Sequence, residues 1–140
     1  MPFTWRVRAA AAVAIIPPLL EIASFARLER WLQVAARRQI SSAPSDADAA
    51  RWVDRQLMRL PRPWAHSCLR RATVLYFLLR SAGRAVSLCI GVRRDDDGAL
   101  HAHAWLLLDD VLYLESAQGG DHVADFNEIA RFPHAASRST

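Results

Sequence analysis

Three residues have types and a spacing that could carry a reaction: Cys68, His103 and Glu115. Cys68 falls at the first turn of an expected helix, where unpaired backbone N–H groups and the positive end of the helix dipole favour a thiolate. A free cysteine in that place is either a nucleophile or a small buried hydrophobe. His103 lies in Leu100-His-Ala-His-Ala-Trp105. Strand alternation there puts His101, His103, Trp105 and Leu107 on one face, and Ala102, Ala104, Leu106 and Leu108 on the other. A histidine in so apolar a strand needs a hydrogen-bond partner. It is either a satisfied core residue or, facing the start of the Cys68 helix, the base that takes the thiol proton and later protonates the leaving amine.

The third member of such a set is an acid that holds the imidazole in one tautomer. Asp109 and Asp110 sit six or more residues further along the strand, about 20 Å away at about 3.3 Å per residue. Glu115 returns on the neighbouring strand. A strict two-residue turn at Asp109-Asp110 would pair Leu108 with Val111 and set Ser116 across from His103. A three-residue loop, or one bulge, would set Glu115 there instead. Glu115 otherwise reads as a solvated carboxylate at a strand end.

A rival use of the same residues is zinc binding, with His66-x-Cys68 and His101-x-His103 supplying four ligands of acceptable type. The spacing is no recognised finger pattern, and the expectation is that no metal or other cofactor is held. The chain has neither G-x-x-x-x-G-K-[ST] nor G-x-G-x-x-G, so it is not expected to bind nucleotide by itself. Arg70-Arg71 and Arg93-Arg94 read as solvated faces rather than nucleic-acid contacts.

Periodicity supplies the elements that must position these residues. After Pro18, apolar Ile22, Phe25, Leu28, Leu32 and Ala35 recur at helical spacing, followed by a linker at Ser41–Ser45. Ser45, with Asp46 and Asp48 behind it, reads as the N-cap of a second helix that carries Ala49, Trp52, Val53, Leu57 and Leu60 and stops at Pro61 and Pro63. A third helix is expected from Ser67 to Gly83, with a core stripe of Leu69, Ala72, Leu75, Tyr76 and Leu79. Beyond Gly83 the period becomes two: a strand through Val86–Val92, a turn at Asp95–Gly98, a strand Ala99–Leu108, a turn at Asp109-Asp110, and a strand Val111–Glu115. Phe126–Phe132 would pair with the sheet or cap it. Helices followed by an antiparallel meander mean α+β.

Composition sets the frame. The chain has 140 residues, 52% hydrophobic and 23% charged, which suits one small domain and excludes a disordered tail or a disulfide-stapled mini-protein. All 18 basic residues are arginine, and the net charge of +4 permits an acidic or peptide partner without demanding nucleic acid. Two cysteines are too few for a disulfide framework, so the expected compartment is the reducing cytoplasm. Residues 9–20, AAAAVAIIPPLL, form an apolar run behind Arg6 and Arg8. It is shorter than the roughly 20 residues of a membrane span, but it has the length of a secretory apolar core, with Ser24-Phe25-Ala26 as a weak cleavage site. Pro17-Pro18 is expected to break it, and a buried or partner-facing helix is the favoured reading. Membrane association through this segment is the alternative.

One resemblance joins these parts. Ser67-Cys-Leu-Arg-Arg-Ala-Thr-Val-Leu-Tyr-Phe-Leu-Leu-Arg-Ser-Ala-Gly83, the Ile90-Gly-Val-Arg93 strand and the His103-Ala-Trp-Leu106 strand resemble those of transglutaminase-like proteins. The similarity is to the stand-alone B2-type peptidases of lasso peptide biosynthesis, and it covers roughly residues 50–116. It implies a minimal transglutaminase-like (papain-like) cysteine peptidase at residues 46–140, preceded by a helical docking segment at 1–45. It also implies that Cys68 is the nucleophile and His103 the general base and acid. Glu115 stands where the family usually has aspartate, about a dozen residues after the histidine, and Trp105 packs beneath the site. The implied substrate is a ribosomally made precursor peptide, cut at the leader–core junction. The implied partners are a separate B1-type leader-recognition protein, for which the chain has no room, and an ATP-dependent cyclase that closes the ring.

Overall fold

The computed structural model describes residues 1–22, 24–37, 43–60, 68–115 and 123–133. The expected cap Ser67, His66, Pro61, Pro63 and Ser116 lie outside the described residues. Four helices come first: α1 Phe3–Ile22, α2 Phe25–Ala36, α3 Asp46–Arg59 and α4 Cys68–Ser81. Four strands follow, β1 Val86–Arg94, β2 Leu100–Leu108, β3 Val111–Tyr113 and β4 Asn127–Phe132, with a short 3-10 turn at Val123–Asp125. The sheet is antiparallel in the order β3-β2-β1-β4, so the fold is α+β.

Local chemistry sets the element ends. Ser45 caps α3 by accepting a hydrogen bond from the Asp48 N–H at 3.2 Å, and Asp46 and Asp48 sit at the positive end of the dipole. Hydrogen bonding from the Ser45 side chain and then from the Arg51 guanidinium holds the exposed Asp48 carboxyl below its ordinary range. Gly83 adopts φ +85° just past α4, and the Arg84 N–H closes on the Leu79 carbonyl at 2.9 Å. The β1–β2 turn closes with Gly98 at φ +85° and its N–H on Asp95 O at 2.9 Å.

Helix α4 is the centre of the molecule and is buried on every side from Arg71 to Leu79. Its apolar residues share one core with Trp5, Ala9 and Ile16 of α1, Leu28 and Leu32 of α2, Val53 and Leu57 of α3, and Val86, Leu88, Ala104 and Leu106 of the sheet. Helices α1 and α2 thus enter the same core as the sheet. Ala35, placed by periodicity on the inner face of α2, is exposed. Helix α1 also runs through Pro17 and Pro18, where a break was expected. The prolines forfeit two backbone hydrogen bonds, and burial of Ile16 with packing of Leu19 and Leu20 on the core offsets that loss.

Candidate active site

Cys68 opens α4 and is half-buried. Its position gives it the first-turn N–H groups that no helical carbonyl can reach. Cys89 differs in every respect. It lies in β1 with no exposed surface, and burial, followed by a hydrogen bond to the Glu128 carboxylate and that group's charge, pushes its thiol up to about 12. Of the two thiols, only Cys68 is placed to react.

His103 is buried on the sheet face opposite Ala104 and Leu106. It stacks on Trp105, with centroids 5.9 Å apart and planes at 25°, and meets Phe126 at 5.4 Å and 39°. Trp105, Phe126 and Cys89 form a second, smaller apolar cluster on this face. Gly91, which pairs with His103 across β1–β2, makes room for the indole. A Cβ there would lie 2.6 Å from Trp105 Cη2 and 2.8 Å from Cζ3. Arg93 closes the row, its guanidinium 4.9 Å from the Phe126 centroid.

The structure brings Glu115 to His103, with Oε2 3.4 Å from Nε2. The separation is longer than an ordinary charge-assisted hydrogen bond, as is common for catalytic pairs without substrate. With Nε2 turned to the carboxylate, Nδ1 is the nitrogen left to deal with a thiol.

The register that achieves this combines the two routes open from sequence. The turn is strictly two residues, Leu108 facing Val111, with Asp109 and Asp110 both left-handed at φ 52° and 60°. That is the twist a two-residue hairpin favours. Regular alternation from there would have set residue 116 across from His103. Instead β3 ends at Tyr113, earlier than the sequence pattern indicates, and Leu114 turns left-handed at φ 53°. One residue is thereby displaced, and Glu115 takes the place beside the imidazole. Because β3 stops opposite Leu106, the edge of β2 from Trp105 back to Leu100 has no strand beside it among the described residues. His103 sits at this open edge.

Arg71 fastens the corner. Its Nη1 donates to the Leu114 carbonyl at 2.7 Å, while Nε and Nη2 donate to the Asp54 carboxylate of α3 at 2.7 and 3.4 Å. Arg71 was expected on a solvated face. It is buried, because the paired acid and the carbonyl satisfy its charge and its N–H groups. Cys68 lies three residues earlier on α4, one turn along the same side of the helix. The guanidinium therefore ties the helix start that bears the thiol to the corner that bears Glu115. No hydrogen bond joins Cys68 to His103 among the described residues. The parts that Arg71, Gly91 and Phe126 play here were not read from the sequence, although Gly91 stood in the Ile90-Gly-Val-Arg93 motif and Phe126 opened the segment expected to pair with or cap the sheet. For Arg71 the available signal was its spacing, one helical turn after Cys68.

A second support holds β3. The Tyr113 hydroxyl donates to Asp46 at the start of α3, and this bond raises the phenol above its ordinary range. Of the residues considered for zinc, His66 lies outside the described residues. His101 Nε2 pairs with Asp95 Oδ2 at 2.5 Å, and no group of three or more His, Cys, Asp or Glu converges among the described residues.

A cysteine at the start of a central helix, with a buried histidine and a carboxylate at the edge of an antiparallel sheet, is the layout of a cysteine-dependent acyl-transfer fold. The family description "Transglutaminase-like superfamily" matches residues 3–131, and the chain belongs to that superfamily, which includes cysteine peptidases and transglutaminases. No curated protein and no solved structure matches the chain.

Proposed function

We propose that the protein is a cysteine peptidase that removes the leader from a ribosomally made lasso precursor peptide. The observation that carries this reading is the His103–Glu115 pair, 3.4 Å apart, at a corner that Arg71 ties to the first turn of the cysteine helix. In this reading His103 Nδ1 takes the Cys68 proton, and the thiolate attacks the leader–core amide. Backbone N–H groups at the start of α4 stabilise the resulting oxyanion. The imidazolium then protonates the leaving amine, which departs as the new N-terminus of the core peptide. Water, activated by the same imidazole, releases the leader from Cys68 as a carboxylate. Glu115 holds the ring and its charge throughout. The resemblance to B2-type proteins supports this substrate. It also supports a cytoplasmic complex with a separate leader-recognition protein and an ATP-dependent cyclase that consumes the freed amine.

The test is incubation with a precursor peptide and leader-binding protein encoded beside this chain, followed by mass spectrometry. Cys68→Ala and His103→Ala should abolish cleavage with the fold intact, and Glu115→Ala should slow it. Unchanged cleavage by Cys68→Ala would sink the mechanism. A second reading, a non-catalytic binding subunit of a maturation complex, draws on the lack of a Cys68–His103 hydrogen bond. It requires Cys68 to react with iodoacetamide no faster than an ordinary thiol, and a marked rate excess over that rejects it.

A further inference from the structure

Helix α1 is apolar on both sides. Trp5, Ala9, Ala12, Val13 and Ile16 fill the core, while Phe3, Val7, Ala10, Ala11, Ala14 and Ile15 face outward. Phe3 is 80% exposed, and Val7 and Ile15 are each more than half exposed. A helix hydrophobic all round is ordinarily covered on all sides. Helix α2 also exposes apolar side chains, with Trp31 at 50% and Val34 at 65% exposure. The two helices are fixed to each other, since Arg8 of α1 donates to the Ala35 carbonyl of α2 at 2.6 Å and to Ser81 of α4 at 3.1 Å.

Among the described side chains, the exposed charges on this surface have one sign. Arg6, Arg27, Arg30 and Arg37 are exposed, whereas Glu29 is buried and accepts from Gln33. No carboxylate is exposed among the described side chains of residues 1–37. A second copy seated on this face would bring four arginines against four, which disfavours self-association. An anionic lipid surface offers the opposite charge together with an apolar layer a few ångströms deep, and tryptophan and arginine are side chains that bridge the two.

We propose that the outer face of α1 and α2 docks on an anionic bilayer, lying in the interface with Phe3, Val7, Ile15 and Trp31 in the acyl boundary and the arginines among the headgroups. Helix α1 does not cross the membrane in this arrangement, because its other face is committed to the protein core.

Co-sedimentation of the full chain with vesicles tests this. Vesicles containing one quarter phosphatidylglycerol should carry the protein down, and pure phosphatidylcholine vesicles or 0.5 M salt should not. Arg27→Gln with Arg30→Gln should weaken binding about 25-fold, at about fivefold per arginine. Phe3→Ser with Val7→Ser and Ile15→Ser should abolish it, while circular dichroism stays native because all three sites are exposed. Trp31→Phe should remove a blue shift of emission on vesicle addition. Three results would overturn the proposal: no binding to the anionic vesicles, equal binding to both vesicle types, or a dimer in sedimentation velocity that the triple serine variant dissociates. Pull-down of an acidic protein through this face, with the vesicles ignored, would also overturn it.

Discussion

Arg71→Met keeps most of the side-chain volume in the centre of the fold and removes every hydrogen bond the guanidinium makes. In the native protein these are the two bonds to Asp54 and the one to the Leu114 carbonyl. A hydrogen bond involving a charged group contributes about 1.5–3 kcal/mol. The Asp54 carboxylate keeps about a third of its surface in water, so its share falls at the low end. The two 2.7 Å bonds count about 1.5 kcal/mol each, and the 3.4 Å bond adds little. Together the losses amount to about 3 kcal/mol, which an ordinary domain of 5–15 kcal/mol survives. Urea unfolding should show that loss as a lower midpoint with an unchanged slope. The larger consequence is local. A left-handed leucine costs roughly 1–2 kcal/mol, and the Arg71 bond is what holds Leu114 there. Once freed, residue 114 relaxes to extended backbone, alternation resumes, and Glu115 turns away from His103. Iodoacetamide alkylation of Cys68 at pH 6 follows the site without needing substrate. Arg71→Met should slow it to the level of Glu115→Gln, and the double variant should be no slower than either. Arg71→Lys keeps the charge but cannot span Asp54 and Leu114 together, so it should fail similarly with a smaller stability loss. Wild-type alkylation in a destabilised Arg71→Met would refute the argument, as would a double variant whose defect is the product of the two singles.

Other perturbations test the supports of the site. Gly91→Ala forces a methyl group into the Trp105 ring and should cost about 1–3 kcal/mol, with a changed tryptophan emission, by urea unfolding. Stability should fall as pH rises above 9. The unfolded Cys89 thiol ionises from about 8.5 while the buried one keeps its proton to about 12, so the native state binds the extra proton. The slope due to this group approaches about 1.4 kcal/mol per pH unit, and Cys89→Ala should remove it from unfolding curves between pH 9 and 11. Ser45→Ala deletes the cap of α3 and should cost about 1 kcal/mol while leaving Cys68 alkylation untouched.

Much of the fold was legible in the sequence because its elements announce themselves by period. The alternation from Val86 to Leu108 and the Ser45 cap needed no tertiary information. Pro17 and Pro18 show the limit of such rules. A local penalty of a few kcal/mol is outweighed where the residues around it are packed on a core. Arg71 shows another limit, since an arginine next to an arginine looks solvated until a carboxylate and a carbonyl from distant segments enclose it.

The candidate site divides along the same line. The sequence by itself determined the residue types, the placement of Cys68 at a helix start and the face that His103 shares with Trp105, because helix caps and strand alternation are local properties of the chain. Which carboxylate stands beside the imidazole was not local. The two-residue turn alone directs residue 116 there. The left-handed Leu114, held by an arginine 43 positions earlier in the chain, substitutes Glu115. A hydrogen bond between residues that far apart exists only once α3, α4 and the sheet have packed, so only the tertiary structure could decide it.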